Sequence, residues 1–325
     1  MGHRFAPDWG EGGREVVEEV DEDGVAQRGF LDEQAMRGAE DDGELGVRDA
    51  AVHRDGAGRL MTAFAVPAYL AAAIACEASP ARQAWLANLP TVVAELRQRW
   101  SLTLGAPFEP GGQTSWVAPA TDGRGREVVL KVGWQHPGAA DEAAGLRAWS
   151  GYGAVLVHET WSDEHAKALL LERCVPGTAL GRDRPESEQD IIIAGLLRGH
   201  WRRPVDGHSF RPLWQMCAAW ADEFERDRAP IPGRFDPGLA RAGIELFRLL
   251  PTQAADSALL CTDLHAGNVI AARREPWLVI DPKPYFGDRT YDTLQHMLNC
   301  PERLARILTG LHGEWPTCSI STPTI

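Results

Sequence analysis

Asp263, Asn268 and Asp281 hold the most legible chemistry in this 325-residue chain. An acid and an amide stand five apart in a loop. A second acid follows thirteen residues on, at the end of the apolar run Trp277–Ile280. One carboxylate so placed can accept the proton of an attacking hydroxyl, while an amide oxygen and a second carboxylate hold Mg2+ on nucleotide phosphates. That chemistry is phosphoryl transfer. An Asp-x-x-x-x-Asn pair alone more often makes a turn, because these side chains bond local backbone. The acid that ends an apolar strand tips the balance, since a lone carboxylate there needs a partner or a cation. Glycoside hydrolysis also uses two carboxylates, but it leaves Asn268 and an upstream lysine without a task.

That lysine is Lys131. Asp122-Gly123 and Gly125 predict a hairpin turn between strands over Thr114–Ala118 and Glu127–Val132. Alternation in the second strand sets Val128, Leu130 and Val132 on one face, with Val129 and Lys131 on the other. A solvated edge lysine is the plain reading. In a nucleotide-binding lobe, such a lysine reaches the α- and β-phosphates and pairs with a helical glutamate. The next helical pattern, Ala139–Ser150, offers Glu142, with Leu146 and Trp149 apolar four and seven residues on; Asp141 is the competing partner. Gly111-Gly112-Gln113-Thr114-Ser115 could lay backbone N–H groups over phosphates, although glycine pairs more often only turn the chain.

The surrounding elements follow from periodicity. Helices are expected over Val66–Trp100, divided at Pro90, and over Glu188–His200, Leu213–Arg226 and Leu239–Leu250. Trp214, Cys217, Trp220 and Phe224 read as a buried stripe; Asp222, Glu223, Glu225 and Asp227 read as a solvated face. Ala154–Thr160 and Ala166–Arg173 read as strands, and Pro176-Gly177 as the link between two lobes.

The strings CTDLHAGNVI, VIDPKPYFGD and YDTLQHMLNC resemble the aminoglycoside phosphotransferases, in the streptomycin 6-phosphotransferase and hydroxyurea kinase branch. The resemblance runs from Met61 to Leu304. It implies an α/β (α+β), two-lobed, protein-kinase-like fold, with a small mixed-sheet ATP lobe and a larger helical lobe. It makes Asp263 the catalytic base, Asn268 and Asp281 the metal ligands, and Lys131 with Glu142 the phosphate-binding pair. ATP and Mg2+ are the implied cofactors, with adenine along the backbone of Glu172–Cys174. Asp288 and Asp292 would brace the catalytic segment. Cys261-Thr262 stands where most relatives carry a histidine. The implied reaction is ATP-dependent phosphorylation of a hydroxyl on a cationic small molecule, an aminoglycoside such as streptomycin. Hydroxyurea or another small acceptor, or an inactive remnant, are the alternatives.

Bulk properties narrow the classes further. Of the net charge of −13, residues 1–60 hold sixteen acidic against seven basic side chains. No basic cluster suits nucleic acid, and no apolar run reaches membrane-spanning length. Six cysteines without a Cys-x-x-Cys pair fit a reducing cytoplasm rather than zinc or a disulfide scaffold. The expected organisation is a disordered acidic leader over 1–60, a nucleotide lobe over 61–175, a catalytic and substrate lobe over 176–304, and an atypical tail over 305–325. Low apolar content leaves the leader nothing to pack. Deleting residues 1–60 is therefore expected to leave the melting temperature and any activity unchanged; a clear drop would show that the leader docks. The tail lacks a periodic stripe and ends in a Ser/Thr/Pro string. In GC-rich codons a frame shifted near Arg306 reads as an amphipathic helix opened by Asp-Pro, so the tail is expected to be frameshifted. The gene's nucleotide sequence tests this.

Overall fold

The computed structural model describes residues 52–54, 60–62, 64–76, 79–204, 206–228, 236–300 and 303. The expectations for the leader and the tail fall outside those residues, save at two strands. β1 (Val52–Arg54) and β2 (Leu60–Thr62) pair antiparallel with each other.

α1 (Ala68–Ala75) and α2 (Pro80–Arg99) come next. Ser79 opens α2, its hydroxyl accepting the Arg82 N–H at 3.4 Å, with Pro80 in the first helical position. The sequence suggests a break at Pro90, but α2 is continuous. Pro90 sits on the exposed side of the helix, where water can serve the carbonyl left without its donor. Trp85, Leu89, Val92, Val93 and Leu96 bury on the opposite side and anchor the helix on both sides of Pro90.

The sheet contains β3 (Thr103–Leu104), β4 (Ser115–Thr121), β5 (Glu127–Trp134), β6 (Val157–Ser162) and β7 (Ala166–Glu172), in the order β3-β4-β5-β7-β6. A mixed sheet was the expectation; every pair is antiparallel. The crossover through α3 (Glu142–Trp149) carries the chain to the outer edge, and β7 folds back into the space beside β5. The β4–β5 turn is held by Asp122, whose Oδ1 accepts the N–H groups of Arg124 and Arg126 at 2.9 Å each. One sheet face, including Trp116, Ala118, Val128, Leu130, Val132 and Leu170, packs on α1 and α2. Each fully buried Val or Leu there contributes about 1.5–3 kcal/mol. That packing fixes the strand's facing, and so turns Lys131 to the other side.

The second lobe contains α4 (Leu180–Asp183), α5 (Glu186–His200), α6 (Leu213–Arg228), α7 (Pro237–Leu249) and α8 (Tyr291–Leu298). Among the helices run two small antiparallel ladders. β8 (Ser257–Leu260) pairs with β11 (Tyr285–Asp288), and β9 (Val269–Ala271) pairs with β10 (Trp277–Val279). On α6 the buried face is Leu213, Met216, Cys217 and Ala221, set against β8, β11 and Tyr291. Trp214, Trp220 and Phe224, expected in the core with Cys217, are exposed instead, because the buried stripe runs one position along. Of the neighbouring acids, Asp222 and Glu225 stay in solvent, where both pair with Arg248. A sheet-bearing lobe thus sits against a helical one in a protein-kinase-like arrangement. No described helix is long and apolar enough to cross a membrane.

Candidate active site

Strand register brings the two acidic segments together. Leu260 faces Tyr285 across the β8–β11 ladder. Residues 261–263, which leave β8, therefore run beside residues 281–284, which enter β11. The Lys283 N–H donates to the Cys261 carbonyl at 2.8 Å, and the Thr262 hydroxyl donates to the Lys283 carbonyl. The β9–β10 hairpin adds Asn268, whose carbonyl accepts the Ile280 N–H at 2.9 Å. Asn268 Nδ2 also donates to the Asp263 carbonyl at 3.0 Å.

The backbone here is strained. Thr262 lies at φ +50° and Asp281 at φ +49°, in the left-handed region, where a β-branched threonine is a genuine outlier. Asp292 holds the first of these turns. Its Oδ1 accepts the Thr262 N–H at 2.8 Å; its Oδ2 accepts the Cys261 N–H and the Trp201 indole N–H, both at 3.1 Å. Burial pushes the Asp292 carboxyl up to about 6, against the pull of those donors. Replacing Asp292 with alanine leaves three buried donors without an acceptor. The expected loss is about 3 kcal/mol of stability, read as a lower urea midpoint at unchanged slope. An unshifted midpoint would show that water replaces the carboxylate at no cost. The Cys261-Thr262 turn ahead of Asp263 is thus held from α8. His200 packs behind as a structural group: its Nδ1 lies 3.4 Å from Cys261 Sγ, and burial brings its pKa down to about 4.

From the sheet side, Lys131 completes the cluster. Its Nζ lies 2.8 Å from each Glu142 carboxylate oxygen and 2.6 Å from Asp281 Oδ1. Glu142 sits in the first turn of α3 and is buried; Asp141, the other candidate, instead pairs with Arg211 at 2.9 Å. The Arg211 guanidinium also lies over the Tyr285 ring. At Gly145 a Cβ would meet Pro284 Cγ at 2.3 Å, so α3 is tied to the 281–285 segment at both points. Thr114, Ser115, Lys131, Glu142, Asp281 and Lys283 line one cleft. The glycine loop ahead of Thr114 is pinned from outside by Gln113 Nε2 donating to the Tyr69 hydroxyl at 2.9 Å.

A model of aminoglycoside/hydroxyurea antibiotic resistance kinases matches residues 99–309. The chain belongs to that family. The streptomycin 6-kinase of Streptomyces glaucescens is 33% identical over 227 residues, spanning 70% of this chain and 72% of that protein. The streptomycin 6-kinase of Streptomyces griseus is 31% identical over 65% of this chain and 67% of its own length. The hydroxyurea phosphotransferase of Kitasatospora aureofaciens is 36% identical, over 65% of this chain and 62% of that protein.

In this antibiotic resistance kinase the cleft holds its charges in a tight balance. Burial works against the Lys131 ammonium, but Asp281 and Glu142 outweigh it and hold the group above the usual lysine range. For Asp281, burial is outweighed by Lys131 and Lys283, which keep the carboxyl well below the usual range. An ionised carboxylate with two cations on it suits a hard metal ion. The Asn268 amide nitrogen is committed to Asp263, so the side-chain oxygen is the end available to such an ion. Among the described residues no group of three or more His, Cys, Asp or Glu could hold a metal. Mg2+ in sites of this kind is held through one or two carboxylates plus substrate phosphates and water.

Two members of this cluster escaped sequence reasoning. Lys283 stands 2.9 Å from Asp281 Oδ1 and 3.4 Å from Asp263 Oδ2. Its only signal was its place between Pro282 and Pro284, directly after the second acid. Arg211, seventy residues from Asp141, gave no signal at all. Glu172, at the start of the expected adenine-binding stretch, accepts two Arg274 hydrogen bonds at 2.9 Å each.

Proposed function

We propose that this chain transfers the γ-phosphoryl group of ATP to a hydroxyl of an aminoglycoside, streptomycin first among them. One observation carries the reading: Lys131–Glu142, Asp281, Lys283 and Asp263 form one run of contacts of 3.4 Å or less. The similarity to two streptomycin 6-kinases supports the acceptor.

Asp263 takes the proton of the acceptor hydroxyl as that oxygen attacks the γ-phosphorus and the bond to the β–γ bridging oxygen breaks. Lys131, kept in place by Glu142, steadies the α- and β-phosphates. Asp281 and the Asn268 side-chain oxygen would hold Mg2+, which when bound would neutralise phosphate charge. The protein's contribution is position and electrostatics, with no covalent intermediate. The nucleotide lobe covers 61–175 and the catalytic lobe 176–304. Buried thiols at Cys174, Cys217 and Cys261 support placement in the reducing cytoplasm, where ATP is supplied.

Hydroxyurea is the second reading, favoured by the 36% identity to a hydroxyurea phosphotransferase. ATP consumption measured with streptomycin and with hydroxyurea in separate arms tests both. Streptomycin-dependent ADP release is the expected result. Release with hydroxyurea alone moves the chain to the second acceptor, and none with either removes the proposal.

A further inference from the structure

The proposed mechanism leaves two lysines of the cleft unused: Lys167, which donates to the Ala140 carbonyl at 3.1 Å, and Lys283, which faces the carboxylates. Lys283 is mounted rigidly: its N–H and C=O are both tied to residues 261–262, and Pro282 and Pro284 flank it. Its ammonium reaches three oxygens, Asp281 Oδ1 at 2.9 Å, the Asp281 carbonyl at 3.2 Å and Asp263 Oδ2 at 3.4 Å. It therefore stands between the carboxylate proposed to meet the acceptor hydroxyl and the carboxylate proposed to meet the metal–phosphate end. A phosphoryl group moving between those ends has to pass it.

Two lysines share Asp281 Oδ1, but they are held differently. Lys131 has a second anchor in both oxygens of Glu142. The other contacts of Lys283 are longer, and its carboxylate partner Asp263 is the proposed base. A divalent cation arriving on Asp281 repels both ammonium groups, and Lys283 is the one free to yield. The nearest new negative charge is then the transferring phosphoryl group.

Resting on the kinase reading above, we infer that Lys283 is a further catalytic residue, its ammonium bound to the equatorial oxygens of the γ-phosphoryl group in the transition state. The acceptor oxygen–phosphorus bond forms, the bond to the bridging oxygen breaks, and the proton goes to Asp263; Lys283 gives up no proton. It does in cis what an arginine finger does elsewhere. The competing account makes Lys283 a counter-ion that fills the metal position until Mg2+ arrives.

The test needs no acceptor. Binding of ADP–Mg2+ is measured by calorimetry with and without aluminium fluoride, a mimic of the transferring phosphoryl group, for wild type, Lys283→Ala and Lys283→Arg. Circular dichroism confirms that each variant is folded. Lys283→Ala is expected to bind ADP–Mg2+ within about threefold of wild type and to lose about 10²-fold of the tightening that aluminium fluoride adds. Lys283→Arg recovers part of it. With streptomycin, kcat of Lys283→Ala falls by a similar factor at little-changed KM for ATP. Equal tightening in Lys283→Ala and wild type overturns the role, as does a lower Mg2+ requirement at unchanged kcat, the mark of a counter-ion. If neither variant folds, a Lys283→Met substitution replaces them, with the same loss expected. A wild-type protein that binds ADP–Mg2+ but phosphorylates neither acceptor sinks the acceptor assignment and leaves the lysine test standing. Failure to bind ADP–Mg2+ at all brings down both.

Discussion

Asp263→Asn is expected to lower turnover by about 10²-fold or more while ATP–Mg2+ binding stays within about threefold of wild type. The substitution keeps the size of the side chain and the backbone carbonyl that accepts the Asn268 amide. What it removes is the basic oxygen that takes the acceptor's proton. Removing that charge also leaves Lys283 with Asp281 as its only carboxylate partner among the described residues, so a small change in metal affinity can accompany the loss. Single-turnover kinetics with preloaded nucleotide isolates the chemical step. Turnover at the wild-type rate would strip Asp263 of the base role.

An effect of similar size is expected at Asp281, but on binding. Asp281→Ala should weaken Mg2+-dependent nucleotide binding by about 10- to 100-fold. Two things change at once in that variant. The carboxylate that both lysines contact disappears, and an alanine must hold φ +49°, which costs about 1–2 kcal/mol for an L-residue without a helpful side chain. Asp281→Asn separates them, because asparagine tolerates the left-handed conformation and lacks only the charge. If both variants lose metal-dependent affinity alike, the charge is responsible. If only alanine does, the backbone is. Nucleotide titration monitored at several Mg2+ concentrations reads the difference, and unchanged affinity in both would remove Asp281 from the metal site.

The clearest part of the site in the sequence was its spacing along the chain. Asp263, Asn268 and Asp281 lie within nineteen residues, on two hairpin-like turns whose strands are short and apolar. Lys131 was legible because a period of two in VVLKV fixes its face once the valines are buried. Helix periodicity put Glu142 near the inward edge but left Asp141 in competition, and the family resemblance favoured Glu142. Why that preference matches the structure was invisible: Asp141 is already engaged by Arg211 from another lobe. Periodicity also misplaced the aromatic members of the buried face of α6, since such a stripe at the right spacing looks like core even when Leu213, Met216 and Ala221 are buried beside Cys217 instead. At Pro90 a local rule was overridden by tertiary packing along α2. The sheet's direction failed for a different reason, as strand order depends on which gap a crossover leaves open, and no single strand encodes that.

The double attachment of α3 carries one more implication. Regulated kinases switch off by swinging the helix that bears the lysine's glutamate partner out of the cleft. In this chain that helix is bolted at its first turn by Arg211 on Asp141, and at its midpoint by Pro284 resting on Gly145, where a single methyl group would not fit. Glu142 lies between the two bolts, already paired with Lys131. That pair is therefore expected to stand assembled before substrate arrives, so that output follows substrate supply.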